Sequence, residues 1–131
     1  MILIGENIHV ISKSVRSALE SRDENFVKNL IKIQEKIDVI DLNVGPAKGK
    51  LDGIFEWLCP LVCAKPVSFD SSNTEAIKNG LKICGNKDCF INSTTADDEK
   101  LNILTDLALE YDCNLIALTM TKEDGIPKTS D

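Results

Sequence analysis

The chain has 131 residues, which suits one ordinary domain and is too short for a complete eight-stranded β/α barrel of about 250 residues. With 43% hydrophobic and 27% charged residues it has the composition of a globular protein, not of a disordered segment. Its 15 basic and 21 acidic residues give a formal charge of −6, and no Lys/Arg cluster exceeds two neighbours, so no nucleic-acid partner is expected.

Five short apolar runs punctuate the chain: Ile2–Gly5, Val39–Val44, Pro66–Asp70, Cys89–Thr94 and Leu115–Met120. They are continuously apolar, the pattern of parallel strands covered on both faces. Helical patterns fill the gaps. Phe26, Val27, Leu30, Ile31, Ile33 and Ile37 recur near a 3.6 period between Glu24 and Ile37. Leu51, Ile54, Phe55 and Leu58 begin a second helix, which Pro60 is expected to kink or end before Cys63. Ile77, Gly80, Leu81 and Cys84 mark a third, and Leu101, Leu104, Leu107, Ala108 and Tyr111 a fourth. Ser21-x-x-Glu24 and Ser72-x-x-Glu75 have the form of capping boxes. The expected order is (βα)4β with right-handed parallel crossovers. Spacing alone leaves an open flavodoxin-like sheet and part of a closed barrel as alternatives.

The N-terminus MILIGENIHV has neither a basic lead nor the apolar stretch of a signal peptide, and no run approaches the roughly 20 apolar residues of a membrane span. A cytoplasmic protein with no membrane partner is the expectation. The 5 cysteines form no C-x-x-C pair, so small buried hydrophobes are expected of them and not a disulfide framework or a zinc site. A lone histidine, His9, cannot anchor a multi-histidine centre, and no bound metal is expected.

In parallel α/β folds ligands sit at the carboxyl ends of the strands, and polar residues gather there in this sequence. Strand one is followed by Glu6, Asn7 and His9. Asp41 and Asn43 close strand two, and Asp70, Ser71, Ser72 and Asn73 close strand three. Asn92, Ser93 and Thr94 close strand four, and Thr119, Thr121 and Lys122 follow strand five. No phosphate-cradling glycine motif is present. Carboxylates and carboxamides held in fixed geometry suit a flat heterocycle with an amidine- or guanidine-like edge, such as a pterin or a purine. Taken singly, Ser72, Asn73 and Thr94 are also plausible helix caps, and Glu6 a partner for a lysine. Asp41 and Asp70 point more strongly to a ligand, because a carboxylate in an apolar parallel strand is costly without a partner.

GENIHV, DLNVGPA, SFDSSNTEAIKNGLK, INSTTADDEK and LTMTKEDGIPKTSD together resemble successive strand ends of the pterin-binding barrel enzymes. The resemblance is strongest to the methyltetrahydrofolate methyltransferases that pass a methyl group to a corrinoid protein. The folate domain of cobalamin-dependent methionine synthase and dihydropteroate synthase are more distant relatives. The resemblance runs from Met1 to Asp131. It implies an α/β fold, the N-terminal part (about five βα units) of a (β/α)8 TIM barrel, with residues 1–131 as one pterin-binding domain. It also implies an enzyme that binds 5-methyltetrahydrofolate and transfers its N5 methyl group to the cobalt of a corrinoid carried by a partner protein.

By that resemblance Asp70 and Asn92 hydrogen-bond the pterin ring, and Asn43 and Glu6 line or support the pocket; His9 stands where relatives carry a polar carboxamide facing the ligand, and Asp41 joins the candidates from its residue type. The family's first motif usually reads G-E-R-x-N, and here it is Gly5-Glu6-Asn7-Ile8-His9. The group that assists N5 as the C–N bond breaks is expected beyond Asp131, so no catalytic residue is assigned. The alternatives are a dihydropteroate synthase-like pterin enzyme or a non-catalytic fragment that docks on a corrinoid protein. An uncovered fifth strand implies a homo-oligomer or a continuation of the chain over the open sheet.

Overall fold

The computed structural model describes residues 1–121, 123, 125 and 126. Five strands, β1 (Ile4–His9), β2 (Val39–Gly45), β3 (Val67–Ser71), β4 (Phe90–Thr94) and β5 (Asn114–Ala117), form one sheet. Every neighbouring pair is parallel and the spatial order is the sequence order, β1-β2-β3-β4-β5. A flavodoxin-like sheet would carry β2 at its edge and β1 inside. The sequential order is instead compatible with the N-terminal part of a TIM barrel, and it differs from the flavodoxin-like order.

The helices are α1 (Lys13–Ser21), α2 (Glu24–Ile33), α3 (Ile54–Val62), α4 (Thr74–Cys84) and α5 (Asp98–Glu110). Each packs on the next, α1 on α2 through to α4 on α5, so they form one layer. Crossovers of one hand between sequential parallel strands put all their helices on the same face of the sheet. The core lies between the layers. Ile40, Leu42 and Val44 of β2, Val67 and Phe69 of β3 and Ile91 of β4 are fully buried there, with Phe55, Leu58, Ile77, Leu81 and Leu104 from the helices. The Phe55 and Phe69 rings meet edge to face at 5.4 Å between centroids. Each such side chain contributes about 1.5–3 kcal/mol by leaving water.

Gly80 of α4 lies close against the Phe69 ring of β3. A Cβ there would stand 2.5 Å from Cε1 of Phe69 and 3.2 Å from Cβ of Phe55. The rigid ring cannot yield without moving the sheet or α3. Gly80→Ala is therefore expected to destabilise the chain by about 1–2 kcal/mol despite alanine's better helix propensity. Urea unfolding measures this, and a stabilised variant would show that the core gives way freely.

Several sequence expectations need correction. β1 begins at Ile4 and runs to His9, so Glu6, Asn7 and His9 lie within the strand and not after it. The register against β2 shifts between Gly5 and Ile8, which is where the polar pair sits. α1 was not anticipated. Its Val15, Ala18 and Leu19 make a short buried stripe among polar residues. The caps also differ. Asp23 accepts from the N–H of Phe26 at the start of α2, and Asn73 accepts from that of Ala76 at the start of α4. Ser21 instead ends α1, Ser72 precedes the cap, and Thr94 ends β4. Pro60 lies inside α3, which ends at Val62 with Cys63 as its cap, so the helix does stop before Cys63.

The cysteines depart from the expectation most clearly. Cys63 and Cys84, at the C-terminal ends of α3 and α4, form a disulfide with their Cα atoms 5.7 Å apart. Cys59 and Cys89 do behave as buried hydrophobes. Burial pushes the Cys59 thiol up to about 12 and that of Cys113 up to about 11, so both stay protonated and unreactive at neutral pH. β5 is shorter than the apolar run suggested, and Thr119 and Thr121 lie beyond it. Lys122 and most of the polar segment that follows fall outside the described residues. Among the described residues no helix is long and apolar enough to cross a membrane.

Candidate functional site

Strand register assembles the site. His9 is paired with Asn43, Asn43 with Asp70, and Asp70 with Asn92. Residues in register across a parallel sheet project to the same side, so these four form one row over four neighbouring strands. At about 4.8 Å per strand the row is about 14 Å long. Two residues back along each strand, the same face carries Asp41 of β2 and Ser68 of β3, themselves register partners. The alternating residues Leu42, Phe69 and Ile91 are buried under the helices. The polar row therefore occupies the face turned away from the helices, toward the carboxyl ends of the strands.

Asn43 is held at both ends of its amide. Its Oδ1 accepts from the N–H of Gly45 at 3.2 Å, and its Nδ2 donates to Oδ2 of Asp70 at 2.5 Å. Gly45 holds a left-handed φ of 59°, which permits the chain to turn back onto Asn43 where the register with β3 shifts. Oδ1 of Asp70 has no partner among the described residues. Half-burial pushes the Asp70 carboxyl up, opposed by the Asn43 hydrogen bond and by the charges of His9 and Lys100, and reinforced by Glu6. Lys100, in the first turn of α5, is a cation near the row that the sequence reading did not select.

Asp41 is buried, not at a strand end but in the middle of β2, with only 1% of its surface exposed. Its Oδ1 accepts from Oγ of Ser68 at 2.5 Å and from Nδ2 of Asn92 at 3.2 Å. Its Oδ2 is buried with no hydrogen-bond partner among the described residues. Burial pushes the Asp41 carboxyl up to about 6. The Ser68 and Asn92 hydrogen bonds pull against this, and the negative charges of Asp70 and Glu6 add to it.

Glu6 is exposed on β1 and forms no ion pair among the described residues, so the lysine partner envisaged for it is not seen. His9 accepts from the N–H of Ile11 through Nδ1 at 3.1 Å, which in the neutral ring leaves the proton on Nε2. All six residues singled out from the sequence thus lie on or beside one row. Ser68 and Lys100 were missed. Ser68 had a signal of its own, since it stands two residues before Asp70 and shares its face. Among the described residues no three His, Cys, Asp or Glu side chains are grouped to hold a metal ion.

The arrangement offers two acceptors, Asp70 Oδ1 and the Asn92 carbonyl oxygen, on adjacent strands, the first group held by the Asn43 amide and the second by the Asp41 carboxylate. It can receive N–H groups along one edge of a flat ring. Fold and row together define a parallel β/α sheet, compatible with the first part of a TIM barrel, carrying a polar site on its inner face.

No protein-family model matches the chain. Its sequence is similar to the methylcorrinoid:tetrahydrofolate methyltransferase of Eubacterium limosum, at 27% identity over 135 residues. That match takes in 98% of this chain and 49% of the other, so the chain spans about half the length of the curated relative it matches.

Proposed function

We propose that the chain supplies the pterin-binding half of a methyltransferase that moves a methyl group between N5 of a tetrahydrofolate and the cobalt of a corrinoid protein. The observation that carries this reading is the in-register trio Asn43, Asp70 and Asn92, with Asp70 Oδ1 without a hydrogen-bond partner among the described residues. A pterin fits that donor set. Its 2-amino-pyrimidinone edge presents adjacent N–H groups, for which Asp70 Oδ1 and the Asn92 carbonyl oxygen on the next strand can serve as the two acceptors. The name of the Eubacterium limosum protein pairs the same two reactants, a methylcorrinoid and tetrahydrofolate.

In this reading Asp70 and Asn92 grip the ring, and Asn43 holds Asp70 in place. His9 Nε2–H and Lys100 offset the negative charge collected by Glu6, Asp41 and Asp70. The corrinoid, carried by a partner protein, supplies the cobalt that gives or takes the methyl group. A dihydropteroate synthase-like activity has no observation of its own in its favour.

Calorimetry with tetrahydrofolate tests the reading. The 131-residue chain is expected to bind weakly, and a chain lengthened by about 130 residues to the size of a whole barrel to bind well. No binding at either length would overturn the pterin site. Tight binding by the short chain would show that the further strands are not needed for the ligand.

A further inference from the structure

We propose that Ser68 and Asp41 are positioning residues for Asn92, locking its carboxamide so that the carbonyl oxygen faces the row beside Asp70. The proposal rests on the reading of that row as the pterin site and gives a role to a buried acid that the ligand cannot reach. Asp41 stands on β2 and Asn92 on β4, with β3 and its Ser68 between them. A single oxygen, Asp41 Oδ1, gathers both donors across the three strands, Ser68 Oγ at 2.5 Å and Asn92 Nδ2 at 3.2 Å. Asp41 is 1% exposed, so it acts on a bound ring only through a neighbour.

The choice of a carboxylate explains the lock. An ionised carboxylate can only accept hydrogen bonds. Asn92 must therefore turn its NH₂ toward Asp41 and its carbonyl oxygen the other way, and the flipped amide would set oxygen against oxygen. Asparagine at position 41 could meet either orientation, and the lock would be lost. Asn43 does for Asp70 what Asp41 does for Asn92. Each group that grips the ring thus has one dedicated holder on β2, and Asp41 with Asn43 lie two residues apart on one face of that strand. The arrangement leaves Asp41 Oδ2 buried with no hydrogen-bond partner among the described residues, which is hard to account for if Asp41 served packing alone.

The charged groups that bear on Asp41 are Asp70 and Glu6, with His9 and Lys100 acting on Asp70 in turn. The test reads the Asn92 side-chain amide of the full chain by ¹⁵N–¹H NMR through a pH titration, with no ligand present. The Asn92 NH₂ signals are expected to move with a midpoint near the value of about 6 assigned to Asp41. Asp41→Asn, nearly the same shape, should abolish the movement. Ser68→Ala should raise the midpoint, because a hydrogen bond to the charged form is lost, and Ser68→Thr should restore it. Signals that stay still, or that still titrate in Asp41→Asn because they follow Asp70, Glu6 or His9, would overturn the proposal.

A second arm uses tetrahydrofolate with the lengthened chain. Ser68→Ala touches no ligand atom yet is expected to weaken affinity about fivefold, the loss of one hydrogen bond's worth of ordering. Ser68→Thr should recover it, and an unchanged affinity in Ser68→Ala would remove Ser68 from the device. Failure of the parent chain to bind tetrahydrofolate counts against the pterin reading alone, since the amide titration judges the positioning role without it.

Discussion

Raising the pH from about 4 to about 6 is expected to remove about 2 kcal/mol of folding stability through Asp41 alone. In the unfolded chain this carboxyl releases its proton near its ordinary value of 3.8, whereas in the folded chain it keeps the proton until about 6. Between those values the folded state binds more protons than the unfolded one, so each rise in pH favours unfolding. The contribution is fully present below about 3.8 and fully lost above about 6. Asp70 is shifted in the same direction and adds to the slope. Asp41→Asn removes the titrating group while keeping an acceptor for Ser68 and Asn92, and should flatten most of this pH dependence. Urea unfolding at a series of pH values measures it, urea being preferred because guanidinium would screen the neighbouring charges. Parallel curves for the parent and Asp41→Asn would mean that Asp41 is ionised in both states, with its burial compensated elsewhere.

The same carboxylate shows where sequence reasoning stopped. The parallel strands and four of the helices were legible because their apolar residues follow strong periods. Polar residues inside strands were the difficulty. Glu6 and His9 in β1 and Asp41 in β2 read as strand ends, since a soluble protein seldom sets a carboxylate in the middle of a buried strand. Here the inner face of the sheet is a polar one, and alternation with period two, Asp41 with Asn43 and Ser68 with Asp70, was the available sign. Spacing could not decide between an open sheet and a barrel segment, because strand order is set by where crossovers land and not by their length. α1 was hidden by the serines, lysine and arginine that surround its three buried residues. The Cys63–Cys84 disulfide had no sequence signal, because it depends on the ends of two successive helices coming together. Residue types at the site were legible; which of them touch a ligand and which hold their neighbours needed the hydrogen bonds.

That division of labour makes the effect of Asp70 separable from that of Asp41. Asp70→Asn is expected to weaken tetrahydrofolate binding by about 10- to 100-fold, the range for a hydrogen bond to a charged group. Oδ2 of Asp70 is already committed to Asn43 at 2.5 Å, so only Oδ1 is available to a ring. In the variant the amide must still offer its oxygen to the Nδ2 of Asn43, since the other orientation would set two donors against each other. Its NH₂ then occupies the place of Oδ1 and meets the N–H edge of the ring donor to donor. Folding should not suffer, because burial already disfavours the Asp70 charge and a neutral amide of the same shape escapes that penalty. Asp41→Asn should show the opposite balance, with a large change in the pH dependence of stability and an effect on affinity that passes only through Asn92. Calorimetry on the lengthened chain, alongside urea unfolding of the 131-residue chain, reads both quantities for both variants. If Asp70→Asn binds as tightly as the parent, Asp70 does not contact the ligand, and the row must be read as scaffolding for a site elsewhere.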